Sequence, residues 1–329
     1  MVGSATIGPP IVHAQHAQKI ARIGVLLPGT PESFSLRTKA FLDGLRELGY
    51  VEGRTIEIDW RWGQDRVETL SDLAAGLVRS NSDVIVTGGG RDVIRARGGH
   101  DLICSGGGAD RIYGGDGPDE VYGARGADRI HGGRGFDEIH DGRGPDVVRA
   151  GTGGRFPPSL HGDVVLNSSG DDVVWLGGDD DSATDGPGAD RYGGGEGNDA
   201  FFFGADGAHD AFVGGAARDI IFWKPRPRSA AVVIDLGTGI AGGAAGDTVR
   251  SMEAAEGSGG ADTLIGNGLA NLFVGGGGPD HVEGGGGDDV LEGRGGDDLL
   301  DGGNGSDYLN GWGGTDTCLA GEHVSNCEL

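Results

Sequence analysis

Aspartate recurs at every ninth residue over two long stretches of this chain. In the first, the blocks TGGGRDVIR, ARGGHDLIC, SGGGADRIY, GGDGPDEVY, GARGADRIH, GGRGFDEIH and DGRGPDVVR put Asp92, Asp101, Asp110, Asp119, Asp128, Asp137 and Asp146 in the sixth place. In the second, GGGGPDHVE, GGGGDDVLE, GRGGDDLLD, GGNGSDYLN and GWGGTDTCL do the same with Asp280, Asp289, Asp298, Asp307 and Asp316. The register reaches back from there through Asn271 to Asp262. Between the stretches it persists more loosely at Asp163, Asp172, Asp181, Asp190 and Asp199, and after a slip of two at Asp210 and Asp219. Carboxylates set in rows repel one another unless cations lie between them. Calcium suits such rows, because it is a hard ion that takes six to eight oxygens at about 2.3–2.6 Å from carboxylates and backbone carbonyls.

The other places of the block supply the elements that hold those carboxylates. Glycines crowd the first four places and mark a turn. The last three places form a short strand whose middle, eighth residue is apolar: Ile94, Ile103, Ile112, Val121, Ile130, Ile139 and Val148, then Val282, Leu291, Leu300, Leu309 and Cys318. One block is thus a turn and a strand, and two blocks close one flattened coil. Residues eighteen apart should then stack at one strand spacing, about 4.8 Å. Asp280, Asp298 and Asp316 fall on one edge of the coil, and Asp289 and Asp307 on the other. The same stacking puts Arg111 over Arg129 and Glu120 over Glu138 on the outside.

A short fixed period is the mark of a solenoid. This one, G-G-x-G-x-D-x-U-x, resembles the repeat of the repeats-in-toxin (RTX), or hemolysin-type, family. The expected fold is mainly β: a calcium-binding parallel β-roll behind a short N-terminal α/β (βαβαβ) fragment. The resemblance implies a secreted, extracellular bacterial protein that binds several Ca²⁺ ions. The expected ligands are Asp92, Asp101, Asp110, Asp119, Asp128, Asp137, Asp146, Asp190, Asp199, Asp262, Asp280, Asp289, Asp298, Asp307 and Asp316. Any cell-surface or matrix partner is left open by the sequence.

Charge divides the chain. Residues 1–82 hold nine Lys+Arg and nine Asp+Glu, so the rest, with 17 and 42, carries the whole net charge of −25. Nine of the 72 glycines precede residue 83. So acidic a chain is no partner for nucleic acid, whose phosphates require basic contacts, and no apolar run is long enough for a transmembrane helix. Cys318 and Cys327 are placed to close a terminal loop in an oxidising compartment. Cys104 is left over in an outward ninth place.

The expected organisation has five parts. Residues 1–18 read as a signal peptide lacking its basic start, or as a tail. Residues 19–89 alternate strands and helices, KIARIGVLL, PESFSLRTKAFLDGLRELGY, RTIEIDWRW, VETLSDLAAGLVRS and DVIVTGG, an order that implies a parallel sheet. The helical spacing in the first amphipathic segment runs through Phe34, Ala40, Phe41, Leu45 and Leu48. The phrases RIGVLLPG, FLDGLRELGYVEGRTIEIDWRW and SDLAAGLVRSNSDVIVTGG resemble the start of the first lobe of substrate-binding proteins of ABC transporters. That resemblance makes a solute-binding component the alternative function, although the pattern stops after the third strand and leaves no second lobe. Residues 83–149 form a first roll block, overlapping the α/β fragment through Asp83-Val84-Ile85-Val86. Residues 150–230 form an irregular waist, interrupted at KPRPRS by prolines that cannot donate to a ladder. Residues 231–329 form a second block, giving two rolls or one roll with a waist.

No enzyme is expected. The chain has no H-E-x-x-H for a zinc protease, no G-x-S-x-G elbow and no G-K-[ST] phosphate loop. His131 and His140 fall in outward ninth places, as surface groups. A calcium-dependent secreted enzyme with an unrecognised site remains the other alternative.

Overall fold

The computed structural model describes residues 21–27, 29–64, 84–152, 162–204, 206–223, 230–242 and 246–328. The possible signal segment, the second expected helix (VETLSDLAAGLVRS) and KPRPRS lie outside the described residues.

The described chain is mainly β, a parallel solenoid of two facing sheets with fifteen and fourteen strands. Successive blocks alternate between the sheets. Strands eighteen residues apart are neighbours in register, as with Ile112↔Ile130 in one sheet and Val121↔Ile139 in the other. The alternation of apolar and polar residues decides which face is buried. The eighth-place residues from Ile94 to Val148 and from Val282 to Leu309 are at most 1% exposed and form one continuous core. Cys318, at the end of the stack, is only packed against that core. It is disulfide-bonded to Cys327, with Cα atoms 5.8 Å apart. Cys104 is free and half-buried on an outer face.

Turns pack so closely that glycine is required where coils cross. At Gly144, φ is +126° and a Cβ would overlap the Gly126 carbonyl of the coil below. Only a residue without Cβ takes both the conformation and the contact.

Through the waist the stack continues with longer coils. Pairing steps by 26 residues at Val148↔Val174 and by 20 at Tyr192↔Phe212. In the fourteen-stranded sheet, Val233–Asp235, Ile240–Gly242 and Asp247–Arg250 form a meander joined by antiparallel pairs, flanked by parallel strands on both sides. The two blocks are therefore levels of the same two sheets. Phe201, Phe203 and Phe212 fill the core here, while Phe202 faces out and stacks on Phe222.

The N-terminal segment contributes β1 (Ala21–Leu27), α1 (Ser35–Glu47), β2 (Ile56–Trp62) and β3 (Val84–Thr87). These strands are parallel in the order β2-β1-β3, and β3 then pairs with Leu102–Cys104, the next strand of the roll. β3 is thus a seam. Ile85 points into the roll core, while Val84 and Val86 pack with Ile23, Val25, Ile56, Phe41 and Leu45 on the helix side. Phe41 and Leu45 face the sheet as the helical spacing predicts. Ala40 is exposed and Leu48 lies 75% exposed beyond the helix end, so the apolar stripe is narrower than the sequence suggests. This segment covers one end of the fifteen-stranded sheet. Among the described residues it leaves a cleft lined mainly by Val25, Leu27, Phe34, Phe41, Trp60 and Val86, with few polar groups to orient a solute. No described helix is long and apolar enough to cross a membrane.

Candidate metal centres

Each sixth-place aspartate ends a turn and starts a strand, so its carboxylate lies under the turn between two coils. The backbone N–H of most of them donates to Oδ1 of the aspartate one coil further on; at the ends of runs a glutamate stands in, Glu253 for Asp219 and Glu322 for Asp307. The bond is 2.7 Å for Asp92 to Asp110 and for Asp110 to Asp128, and 2.9 Å for Asp280 to Asp298 and Asp298 to Asp316. The other edge repeats this, with 3.0 Å for Asp101 to Asp119 and 2.9 Å for Asp119 to Asp137 and Asp289 to Asp307. The ladder runs through the waist on Asp163, Asp172, Asp181, Asp210 and Asp219.

Oδ1 is therefore used and Oδ2 is not. All fifteen expected ligands are at most 7% exposed. Oδ2 of Asp92, Asp110, Asp119, Asp128, Asp137, Asp146, Asp199, Asp280, Asp289, Asp298 and Asp307 is buried with no donor in reach among the described residues. Of the remaining four, Asp101 is 7% exposed. Asp190 Oδ2 accepts from Asn167 Nδ2 at 3.1 Å, and Asp262 Oδ2 accepts from Ser258 N–H at 2.5 Å. Asp316 is buried in the last turn, beside the Asn326 carbonyl. A buried carboxylate without a partner costs several kcal/mol, and a row of them is untenable without countercharge.

The orphaned oxygens face a cradle. Where the first place is glycine, it typically sits against the block's own aspartate and a carbonyl of the adjacent coil. A Cβ on Gly132 would lie 2.5 Å from both Asp137 Oδ2 and the Ala150 carbonyl oxygen; on Gly114 it would lie 2.5 Å from Asp119 Oδ2 and 2.6 Å from the Gly132 oxygen. The missing side chain leaves room whose nearest atoms are a carboxylate and a carbonyl oxygen, the donor type a hard divalent cation requires. The residues present fit calcium.

Electrostatics agree. Burial, with the neighbouring aspartates adding to it, pushes the carboxyls of Asp119, Asp137 and Asp146 up to about 7 and that of Asp181 to about 8. These carboxyls therefore hold their protons to a higher pH than a free aspartate does.

The first place is what sequence reasoning missed. The glycine run reads as turn, yet many strands run six residues, as in Arg111–Asp116, and the first-place residue points inward beside the eighth. On one edge it is often not glycine. The Thr87 hydroxyl donates to the Ser105 carbonyl, and the Ser105 hydroxyl to the Gly123 carbonyl at 2.8 Å. Asp141 and Asp185 bring further carboxylates: Asp141, Asp146 and Asp172, and likewise Asp185, Asp190 and Asp210, each offer oxygens within 4.8 Å of one another. The signal was present in the sequence as D-G-x-G-x-D at 141–146 and 185–190.

The outward histidines are surface groups in stacks: His131 on Tyr113 at 5.1 Å and His140 on Tyr122 at 4.5 Å between ring centroids. The like-charge neighbours Arg111↔Arg129 and Glu120↔Glu138 pair as the period predicts.

A parallel roll with oxygen-lined cradles between coils defines a class of calcium-dependent solenoids. Comparison with known families matches the RTX calcium-binding nonapeptide repeat at residues 79–112, 105–139, 131–154, 167–201, 256–291, 265–300 and 283–318, together just over half of the chain. The chain belongs to this RTX repeat family. None of the curated proteins compared with it is similar at a significant level.

Proposed function

We propose that this is a secreted, non-enzymatic calcium-binding protein whose roll folds on meeting extracellular calcium and then serves as a structural or interaction module. The fifteen expected aspartates are the ligands, most of them giving Oδ2 to an ion seated beside the first place of the block, which glycine often leaves open, and completed by backbone carbonyls. The observation that carries this reading is the repeated orphaning of Oδ2 at buried positions whose Oδ1 is satisfied. Where ligands converge only in the folded state, the ion's binding free energy is folding free energy. Extracellular calcium modules bind at about 10⁻⁴–10⁻³ M, so the chain would stay open in a cytosol and close outside the cell.

Asp298 tests the assignment, because its Oδ1 holds the Asp280 N–H and its Oδ2 faces a cradle. Asp298→Ala removes both; Asp298→Asn keeps an acceptor for the N–H and removes the charge. Both should raise the calcium midpoint of folding, followed by circular dichroism, by about tenfold or more, as loss of a ligand charge implies. Asp301→Ala, in an outward ninth place, should leave it unchanged. Equal midpoints for Asp298→Asn and the parent chain would refute the ligand role.

A further inference from the structure

We infer that the triads Asp141/Asp146/Asp172 and Asp185/Asp190/Asp210 are two calcium sites of a distinct, tighter kind, which hold their ions when the ordinary cradles of the roll have released theirs. This rests on the calcium-binding reading above and extends it to residues outside the repeat's own aspartate column.

An ordinary cradle pairs one sixth-place carboxylate with backbone carbonyls across a first-place glycine. At residue 141 the first place is aspartate, and its carboxylate stands in the space that the glycine leaves open elsewhere. Asp141 is fully buried, and its Oδ1 is fixed by two N–H groups, Gly142 at 2.6 Å and Ser168 of the next coil at 2.9 Å. Its Oδ2 has no donor, nor has that of Asp146 or Asp172, which are 1% and 0% exposed. Each of these neighbours already spends Oδ1 on a ladder N–H, from Asp128 to Asp146 and from Asp146 to Asp172. Three carboxylates thus meet in the interior, each with an unused oxygen. Oxygens up to about 4.8 Å apart can share one ion at about 2.4 Å from each, and the triad's oxygens lie within that limit.

The second triad sets first-place and sixth-place aspartates together in the same way two coils on, with Asp185 half-buried and Asp190 Oδ2 shared with the Asn167 amide. Asp210 is 2% exposed with an unused Oδ2, Asp185 Oδ1 accepts from the Tyr192 hydroxyl at 3.0 Å, and Asp190 N–H donates to Asp210 Oδ1 at 2.8 Å. Between the two levels the first place is Asn167. Its amide Nδ2 donates to Asp190 Oδ2 at 3.1 Å and to the Tyr192 hydroxyl at 2.5 Å. An uncharged donor therefore serves the coil between the triads, and the column reads triad, amide, triad. Calcium affinity rises with the number of ligand charges and the rigidity of the site. The triads exceed ordinary cradles in the first and match them in the second. They also sit in the waist, where coils of 26 and 20 residues break the regular period, so ions held there would pin the levels that the repeat pattern specifies least.

Calorimetric titration of the full chain with calcium tests this. The expected isotherm has a tight class of two ions, about tenfold or more above the rest. Asp141→Gly restores the residue found at the first place of neighbouring coils and should remove one ion from the tight class, and Asp141→Gly with Asp185→Gly should remove both, leaving the weak class intact. Asp141→Asn keeps an acceptor for the Ser168 N–H and should lose the same tight ion, which separates lost charge from lost packing. A tight class that survives the double substitution, or a parent chain with a single class that the substitutions leave unchanged, overturns the inference alone. A parent chain that takes up no calcium overturns the repeat reading with it.

Discussion

In excess chelator at pH 8, the strand signal of residues 84–328 in far-UV circular dichroism should collapse, and millimolar calcium should restore it. The magnitudes leave little room for another result. Folded domains are stable by about 5–15 kcal/mol, whereas each ionised carboxylate buried without a partner costs several. Eleven of the expected ligands carry such an oxygen. The apolar return is small, since many strands bury one aliphatic side chain and a glycine, as at Val121 and Gly123. Ordering the backbone costs about 1–2 kcal/mol per residue, more for glycine. Self-repulsion among the 42 acidic groups beyond residue 82 adds to the deficit. A chelated chain that keeps its strand signal at pH 8 would show that the core alone carries the roll.

Acid should do part of what calcium does. The carboxyls of Asp119, Asp137 and Asp146 stand near 7, and that of Asp181 near 8, when no ion is bound; an unfolded aspartate titrates at about 3.9. Between those values the folded chain binds more protons than the unfolded one, so its stability rises as pH falls. The gain is lost as pH climbs through 7 to 8. The chelated chain should therefore be more ordered at pH 5 than at pH 8, and the calcium midpoint should rise as pH drops below about 7, because protons compete for the same oxygens. Chelated spectra that are identical at pH 5 and pH 8 would contradict the burial of these groups.

Much of this architecture was legible in the sequence, for a physical reason. A nine-residue period with one aliphatic and one aspartate per block leaves few ways to bury the first and pair the second. Ile112, Leu300 and the stacking of Asp280, Asp298 and Asp316 could be placed before any coordinates. What escaped depended on neighbours that the period does not specify. The inward aim of the first place at Asp141 and Asp185 follows from strands outrunning their three-residue share of the block. The continuity of the waist follows from pairings that step across the insertions, so that Asp146 stacks on Asp172 across 26 residues. β3 reads both as the third strand of an α/β segment and as the first strand of the roll, and the same four residues pair in parallel with β1 on one side and with Leu102–Cys104 on the other.

If stacked aspartates hold ions between coils, the number of ions must follow the number of stacked pairs. Equilibrium dialysis of the full chain against millimolar calcium, followed by elemental analysis, gives ions per chain without reference to the fold. The regular blocks contain eight stacked aspartate pairs joined by N–H to Oδ1 bonds. The bound calcium should rise to about that number; a chain that saturates at one or two ions would contradict the stacking of ions between coils.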